Sequence, residues 1–356
     1  MKKIKKLLKI LFSKKGLTIK QISNGVLFKF FHKGEILKYD PLTLIIYPTD
    51  RCNYQCPFCP HHTKLPNEKF PYLHHPVEDF TLEKFKQILD LFPKTIMITF
   101  AGVGEPLLHP QVLDMADYAT SKNMYSQLIT NGSLLNDEKI ERILNNPNFY
   151  LVSISLNATN PEEYARAFDG RKEIFEKVVS NIKNLVAKKN QKKHPLLEIA
   201  VSFVIHKKNI AQAKSFVEFS EKLGVDRVTF LNLIDFGISG FEKENQLYQN
   251  DPEVKKHFEE LKSFVRGRKI KVDLPVLFSE RIEKKCQWFF KNISIDGAGN
   301  VGGCGRVMNP QPEYGNLFKE GKNVWNNSYF QKMRSIFLSR DEKLPECCRN
   351  CVENQC

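Results

Sequence analysis

Six times in succession the chain repeats one rhythm: a short apolar run, then a stretch with apolar residues at helical spacing. The short runs are "LTLIIYPT" (42–49), "TIMITFAG" (95–102), "YSQLITNG" (125–132), "YLVSISLNA" (150–158), "LEIAVSFVIH" (197–206) and "RVTFLNLI" (227–234). Between them lie helical patterns at 81–92, about 110–123, 136–146, 171–190, 209–224 and within 251–269. Thr81 stands at an N-cap position, and Gly224 closes the fifth helix as a C-terminal glycine. Alternation of this kind dictates an α/β fold with parallel strands and right-handed crossovers, either an open doubly wound sheet or a partial barrel. In both, chemistry gathers at the carboxyl ends of the strands. With 356 residues, 42% of them hydrophobic, the chain can bury a large core.

After Lys271 the rhythm stops. The remainder is rich in Cys and Gly ("DGAGNVGGCG") and reads as short in helices, which suggests a second, smaller domain. The expected division is a basic N-terminal arm over 1–40, a core over 41–274 and a Cys-rich domain over 275–356. Residues 1–38 hold eleven Lys against one acid, Glu35, which is most of the net charge of +14. The opening "MKKIKKLLKILF" places Ile4, Leu7, Leu8 and Leu11 on one helical face, as a helix on an anionic membrane surface would. A solvated arm, a nucleic-acid contact and a helix packed on the core are the competing readings. The rest of the chain is nearly balanced in charge, so no nucleic-acid partner is expected. No apolar run is long enough to span a bilayer and no secretory cleavage pattern is present, so a cytoplasmic protein is expected, with peripheral membrane contact through the arm.

The nine cysteines fall in two groups with none between 59 and 286. Grouping of this kind in a large chain points to metal rather than to a disulfide framework. In the first group "CNYQCPFC" spaces Cys52, Cys56 and Cys59 as C-x3-C-x2-C at the end of the first strand. Three thiolates leave one corner of a metal centre open. A structural zinc site completed by His61 or His62 is the alternative, although paired C-x2-C halves are the usual zinc pattern. His74 and His75 share the loop and read as surface residues. Three further polar signatures end strands two to four: "GVGEP" (102–106), "TNG" (130–132) and "SISLN" (153–157).

These motifs together resemble the radical S-adenosylmethionine (SAM) enzymes, and the resemblance covers about residues 42–270. It implies a partial (β/α)6 TIM-like barrel. It implies a 4Fe–4S cluster on Cys52, Cys56 and Cys59 whose fourth iron is chelated by SAM. Reductive cleavage of SAM would give a 5′-deoxyadenosyl radical that abstracts hydrogen from substrate. Gly102, Gly104, Glu105 and Pro106 match the segment that holds the methionyl amino group, reading G-x-G-E-P where G-G-E-P is common. Phe58 matches the aromatic position beside the adenine. Asn131, Ser155 and Asn157 fall where the family contacts the ribose or carboxylate. An electron donor such as flavodoxin or ferredoxin is implied as a partner.

The second group resembles the auxiliary-cluster extensions called SPASM and Twitch. Gly299 stands five residues before Cys304, and "LPECC" precedes a C-x2-C formed by Cys348 and Cys351. The resemblance implies a second 4Fe–4S cluster held by Cys286, Cys304, Cys348 and Cys351, with Cys347 and Cys356 spare or as substitutes. A zinc knuckle is the alternative. Adjacent cysteines on an extended segment would face opposite ways, so Cys347 and Cys348 are not expected to share a cluster. A closed auxiliary cluster favours oxidation. The expected reaction is therefore oxidation, dehydrogenation or rearrangement of a sugar, an aminocyclitol or a lipid-linked glycan. A maturase acting on a ribosomally made peptide is the second reading. A non-enzymatic, metal-stabilised membrane or RNA adaptor is the third. Arg166, Arg227 and Asp235 lie near strand ends, as substrate contacts or as structural ion-pair partners. No residue is singled out as catalytic base.

Overall fold

Each short apolar run becomes a buried strand. The computed structural model describes residues 16–65, 77–279, 284–306, 308–339, 341–349, 351 and 353. Strands β1 (Thr43–Ile46), β2 (Met97–Phe100), β3 (Tyr125–Thr130), β4 (Phe149–Ser155), β5 (Glu198–Ile205), β6 (Arg227–Asn232) and a short β7 (Lys271–Asp273) lie side by side in sequence order. All of these neighbouring pairs are parallel. A doubly wound sheet needs a point where strand order reverses. Strands β1 to β7 show no such reversal, so the sheet curls in one sense as a partial (β/α)6 barrel.

The helices pack apolar faces against this sheet. Thr81 caps the helix Leu82–Leu91 by accepting from the Lys84 amide at 3.1 Å, and Phe85, Ile88 and Leu89 are the buried face of that helix. The next helices span Val112–Ser121 and Asp137–Asn145, the latter capped by Asn136. The long helix expected over 171–190 is present, and a short helix that the sequence reading did not include precedes it. Pro161–Ala167 starts at the cap Asn160, and Phe175–Lys192 comes after a turn through Gly170 at φ 76°. Ala213–Leu223 ends on Gly224 at φ 76°, as read from the sequence, and Pro252–Phe264 is capped by Asp251.

Residues 1–15 of the expected arm lie outside the described residues. The rest of the arm contains a helix, α1 (Ile19–Phe31), started by a capping box between Thr18 and Gln21. It lies across the amino ends of the strands, opposite the polar signatures. Gln21 Nε2 donates to the Thr95 carbonyl at 2.9 Å, and Asn24 Nδ2 to the carbonyls of Asp40 and Lys94 at 3.0 and 3.1 Å.

The Cys-rich tail joins the same sheet. Strand β8 (Asn292–Ile295) pairs parallel with β1, and β9 (Asn300–Gly302) and β10 (Gln311–Asn316) continue antiparallel. The tail, read from its composition as short in helices, also holds an eleven-residue helix, α2 (Ser328–Leu338). Arg334 of α2 is fully buried. Its guanidinium donates to the carbonyls of Glu35, Phe289 and Trp325 and stacks 4.3 Å over the Trp325 ring. Tyr39 adds a bond from its hydroxyl to the Phe290 carbonyl at 2.8 Å. The two ends of the described chain are thus bound to each other.

Candidate active site

The polar signatures meet in one cavity of about 330 Å³ at the carboxyl ends of the strands. That is within the roughly 300–1,000 Å³ usual for small-molecule sites. Cys52, Cys56, Cys59 and Phe58 line it from the loop after β1, and Gly102, Gly104 and Glu105 from the loop after β2. Asn131, Ser155 and Asn157 line it from the ends of β3 and β4. Pro106 does not. It is buried at the start of the turn Pro106–Leu108 and shapes the backbone behind Glu105.

Both loop glycines are required by space. Gly102 has φ 127°, and a side chain there would strike the Tyr47 ring; one at Gly104 would strike the carbonyl oxygens of Thr49 and Arg51. The loop after β2 therefore lies directly against the start of the cysteine loop, and the Glu105 amide bonds to the Arg51 carbonyl at 2.9 Å.

Glu105 is buried, and its carboxylate accepts from Thr130 Oγ1 at 2.6 Å, the Asn131 amide at 2.7 Å and the Leu107 amide at 3.1 Å. Burial pushes its pKa up, and these three donors oppose that shift. A carboxylate has about four acceptor positions, so one remains for a cationic ligand facing the cavity. A network missed by sequence reasoning fixes the cysteine loop. Asn131 Nδ2 donates to Asn53 Oδ1 at 2.8 Å, Asn53 Nδ2 to Ser133 Oγ at 3.0 Å, and Ser133 Oγ to Asn131 Oδ1 at 2.7 Å. Asn157 sits at φ 54°, a conformation Asn tolerates, and its Oδ1 accepts from the Val204 amide at 2.7 Å.

The tail supplies a second group of thiols. Cys304, Cys347, Cys348 and Cys351 are buried and Cys286 is half-buried. Cys286, Cys348 and Cys351 each feel the charge of Cys304, so these thiols are near one another. Cys347 lies beside them. The expectation that it faces away from Cys348 is corrected by the structure: Glu346–Arg349 is a helical turn, so adjacent residues are only about 100° apart. The Sγ atoms of Cys347 and Cys348 are 4.0 Å apart, and Cys348 Sγ is also 4.0 Å from Met308 Sδ. Cys356 lies outside the described residues. Gly305, one residue beyond Cys304, lines the central cavity, so the two thiol groups flank one wall. Tyr47 is buried behind that wall, against Gly102 and bonded from its hydroxyl to Asn309 Oδ1 at 2.7 Å.

The description "Radical SAM superfamily" fits residues 46–219, and an "Iron-sulfur cluster-binding domain" of the SPASM type fits residues 286–352. The chain is a radical SAM enzyme with a SPASM domain. Its curated relatives include the PqqA peptide cyclase of Gluconobacter oxydans, 23% identical over 88% of this chain and 84% of the relative. The antilisterial bacteriocin subtilosin biosynthesis protein AlbA of Bacillus subtilis is 24% identical over 89% of this chain, which spans only 65% of AlbA. Among solved structures, Streptococcus suis SuiB bound to S-adenosylmethionine matches with a TM-score of 0.63 at 17% identity, covering 85% of this chain and 70% of SuiB. SuiB has also been solved with its precursor peptide SuiA. These relatives overturn the expectation of a sugar, aminocyclitol or lipid-linked glycan substrate: PqqA peptide cyclase and SuiB are both named with a peptide.

Membership implies SAM and 4Fe–4S clusters, and the thiols suit them. Burial pushes Cys52 up to about 11, raises Cys56 and Cys59, and pushes Cys286 up to about 12 and Cys351 to about 11. Thiolates grouped in such surroundings need a metal's charge. Among the described residues no three His, Cys, Asp or Glu side chains converge on a single-ion position.

A second cavity of about 330 Å³ adjoins the first and shares Phe58, Asn157 and Val204 with it. Phe241 meets Phe58 edge-on at 6.0 Å and His206 at 6.0 Å, and burial lowers the His206 pKa to about 4. Arg166 lines this cavity. Arg227 is instead paired with Glu198 and Asp273 at 2.7 and 2.8 Å, and Asp235 accepts from the Gly237 amide in a turn, so both are structural. His62 lines the first cavity with its ring bonded to the Val103 carbonyl, His61 meets Asn309, and His74 and His75 lie outside the described residues. No helix among the described residues is long and apolar enough to cross a membrane.

Proposed function

We propose that this enzyme modifies a ribosomally made peptide, using SAM bound in the central cavity. The observation that carries this is the peptide chemistry named for its relatives, joined to a cavity flanked by two thiol groups. In this reading Cys52, Cys56 and Cys59 hold one cluster, and Cys286, Cys304, Cys348 and Cys351 the other. When bound, SAM and the first cluster supply a 5′-deoxyadenosyl radical for hydrogen abstraction, and the second cluster an electron store suited to oxidation.

The chain's own residues do the positioning. Glu105 takes the methionyl ammonium on its remaining acceptor position. Gly102 and Gly104 let the ligand approach the backbone, and Phe58 and Val204 offer apolar surface to the adenosyl end. Asn131, Ser155 and Asn157 face its polar groups. The Asn53–Ser133–Asn131 network keeps the cysteine loop from drifting. Arg166, at the second cavity, is placed to meet the peptide. Residues 41–274 form the SAM-binding core and 275–356 the auxiliary part. A flavodoxin or ferredoxin in the cytoplasm donates the electron.

Two measurements test this. Anaerobically reconstituted and reduced enzyme should release 5′-deoxyadenosine, and the Cys52→Ala/Cys56→Ala/Cys59→Ala variant should release none. Co-expression with short peptides encoded beside its gene should give a peptide that has lost hydrogen by mass spectrometry. SAM cleavage with every such peptide unchanged would refute the peptide reading while leaving the family assignment intact.

A further inference from the structure

Helix α1 packs Leu27 and Phe28 half-buried against the core, but its deepest positions are not apolar. Its fully buried positions are the polar Gln21 and Asn24, which spend their side chains on backbone groups beneath the barrel. Its outer face carries Ile19, Ile22, Val26 and Phe30, at steps of three and four residues, which is one stripe along a helix. Phe31, to the side of the stripe, and Ile36, beyond the helix, are exposed as well. These six are 39–85% exposed, and they are six of the eleven large apolar side chains exposed among the described residues. Two of the other five, Ile129 and Leu231, line the central cavity. A soluble helix lying on a core shows the reverse pattern, and concentrated apolar exposure marks an interaction surface.

The charges around the stripe say what covers it. Lys20, Lys29, Lys33 and Lys38 flank it and are exposed, and residues 1–34 contain no acid at all. The fifteen residues joined to the amino end of this helix region add seven Lys. A ridge of apolar side chains bordered by lysines, with Glu35 the one acid near it, matches an anionic bilayer, where apolar groups sink below the headgroups and lysines meet the phosphates. The ridge is also convex, as a helix laid across a sheet end must be, whereas a protein partner would have to offer it a groove.

We propose that the outer face of α1 docks on an anionic lipid bilayer. It lies at the amino ends of the strands, so a docked enzyme turns the SAM cavity at the opposite ends away from the lipid. The expectation drawn from residues 1–12 concerned other side chains, and the stripe stands independently of it. The proposal is also independent of the substrate.

Vesicle co-sedimentation of the full, reconstituted chain tests it. Phosphatidylcholine vesicles containing phosphatidylglycerol should bind the enzyme, and pure phosphatidylcholine vesicles should bind it far less. The variant Ile19→Ser/Val26→Ser/Phe30→Ser/Phe31→Ser changes exposed side chains only. It should keep its iron content and its 5′-deoxyadenosine yield while losing on the order of 100-fold in partition to anionic vesicles. A chain lacking residues 1–15 should keep part of its binding, and that part should depend on the stripe. Three results would each overturn the proposal: full binding by the serine variant, no binding once residues 1–15 are gone, or a dimer in light scattering that the serine changes dissolve without altering vesicle binding.

Discussion

Thr130 shows how much a single hydroxyl does at this site. Its bond to Glu105 is the shortest of the three that oppose the burial of that carboxylate. Thr130→Val keeps the shape and removes the donor, which leaves a buried charged acceptor short by about 1–3 kcal/mol. The Glu105 pKa, already raised by burial, should rise further. A protonated carboxyl cannot pair with an ammonium, so SAM binding should weaken by about tenfold or more and fail at a higher pH than in the parent. Equilibrium dialysis of SAM against reconstituted protein across pH checks both. Equal affinity at every pH would mean that Glu105 does not hold SAM. At this scale the sequence was informative where spacing carries chemistry, as with the three loop cysteines and Glu105. It was silent on Asn53 and Ser133, because the bonds from Asn53 to Asn131 and Ser133 cross 78 and 80 residues of chain. It also could not sort Arg166 from Arg227, since only the fold shows which arginine already has Glu198 and Asp273 beside it.

Elements were legible where periodicity is unbroken. All six expected strands formed within the runs that named them, give or take a residue, and the helices after β1 and β5 began or ended on the caps expected at Thr81 and Gly224. Periodicity misleads where polar side chains bury themselves. Helix α1 has no fully buried apolar residue to reveal it, since Gln21 and Asn24 hold it in place through partners 16 to 102 residues away. It misleads again at Cys347 and Cys348, which one helical turn brings together. Just beyond that turn the Cys351 amide bonds back to the Cys348 carbonyl at 3.4 Å, which folds the C-x2-C segment onto Cys348. Reconstituted parent should hold about eight irons in two 4Fe–4S clusters. Cys348→Ala should retain about half of that, and Cys347→Ala nearly all, by iron analysis and electron paramagnetic resonance. The reverse ranking would make Cys347 the ligand.

Across the molecule, the boundary between core and tail is a chemical division rather than a mechanical one. β8 supplies the second partner of β1, and Arg334 holds Glu35, Phe289 and Trp325 together. Ending the chain at residue 285 should therefore leave β1 as an unpaired apolar edge, a template for aggregation. We expect such a protein to elute as aggregate, with no cooperative thermal transition and no SAM cleavage. A stable monomer that still cleaves SAM would show that the core folds alone.

The place of β1 has a consequence for synthesis. It is made first among the strands yet lies inside the finished sheet, between β2 and β8. The contact of Tyr39 with Phe290 joins residues 251 apart. At roughly 5–20 residues per second, a ribosome leaves one side of β1 open for on the order of tens of seconds. A nascent chain must survive that interval with a sticky edge on display, so the yield of active enzyme should depend on translation speed and chaperone supply more than on the stability of the completed fold.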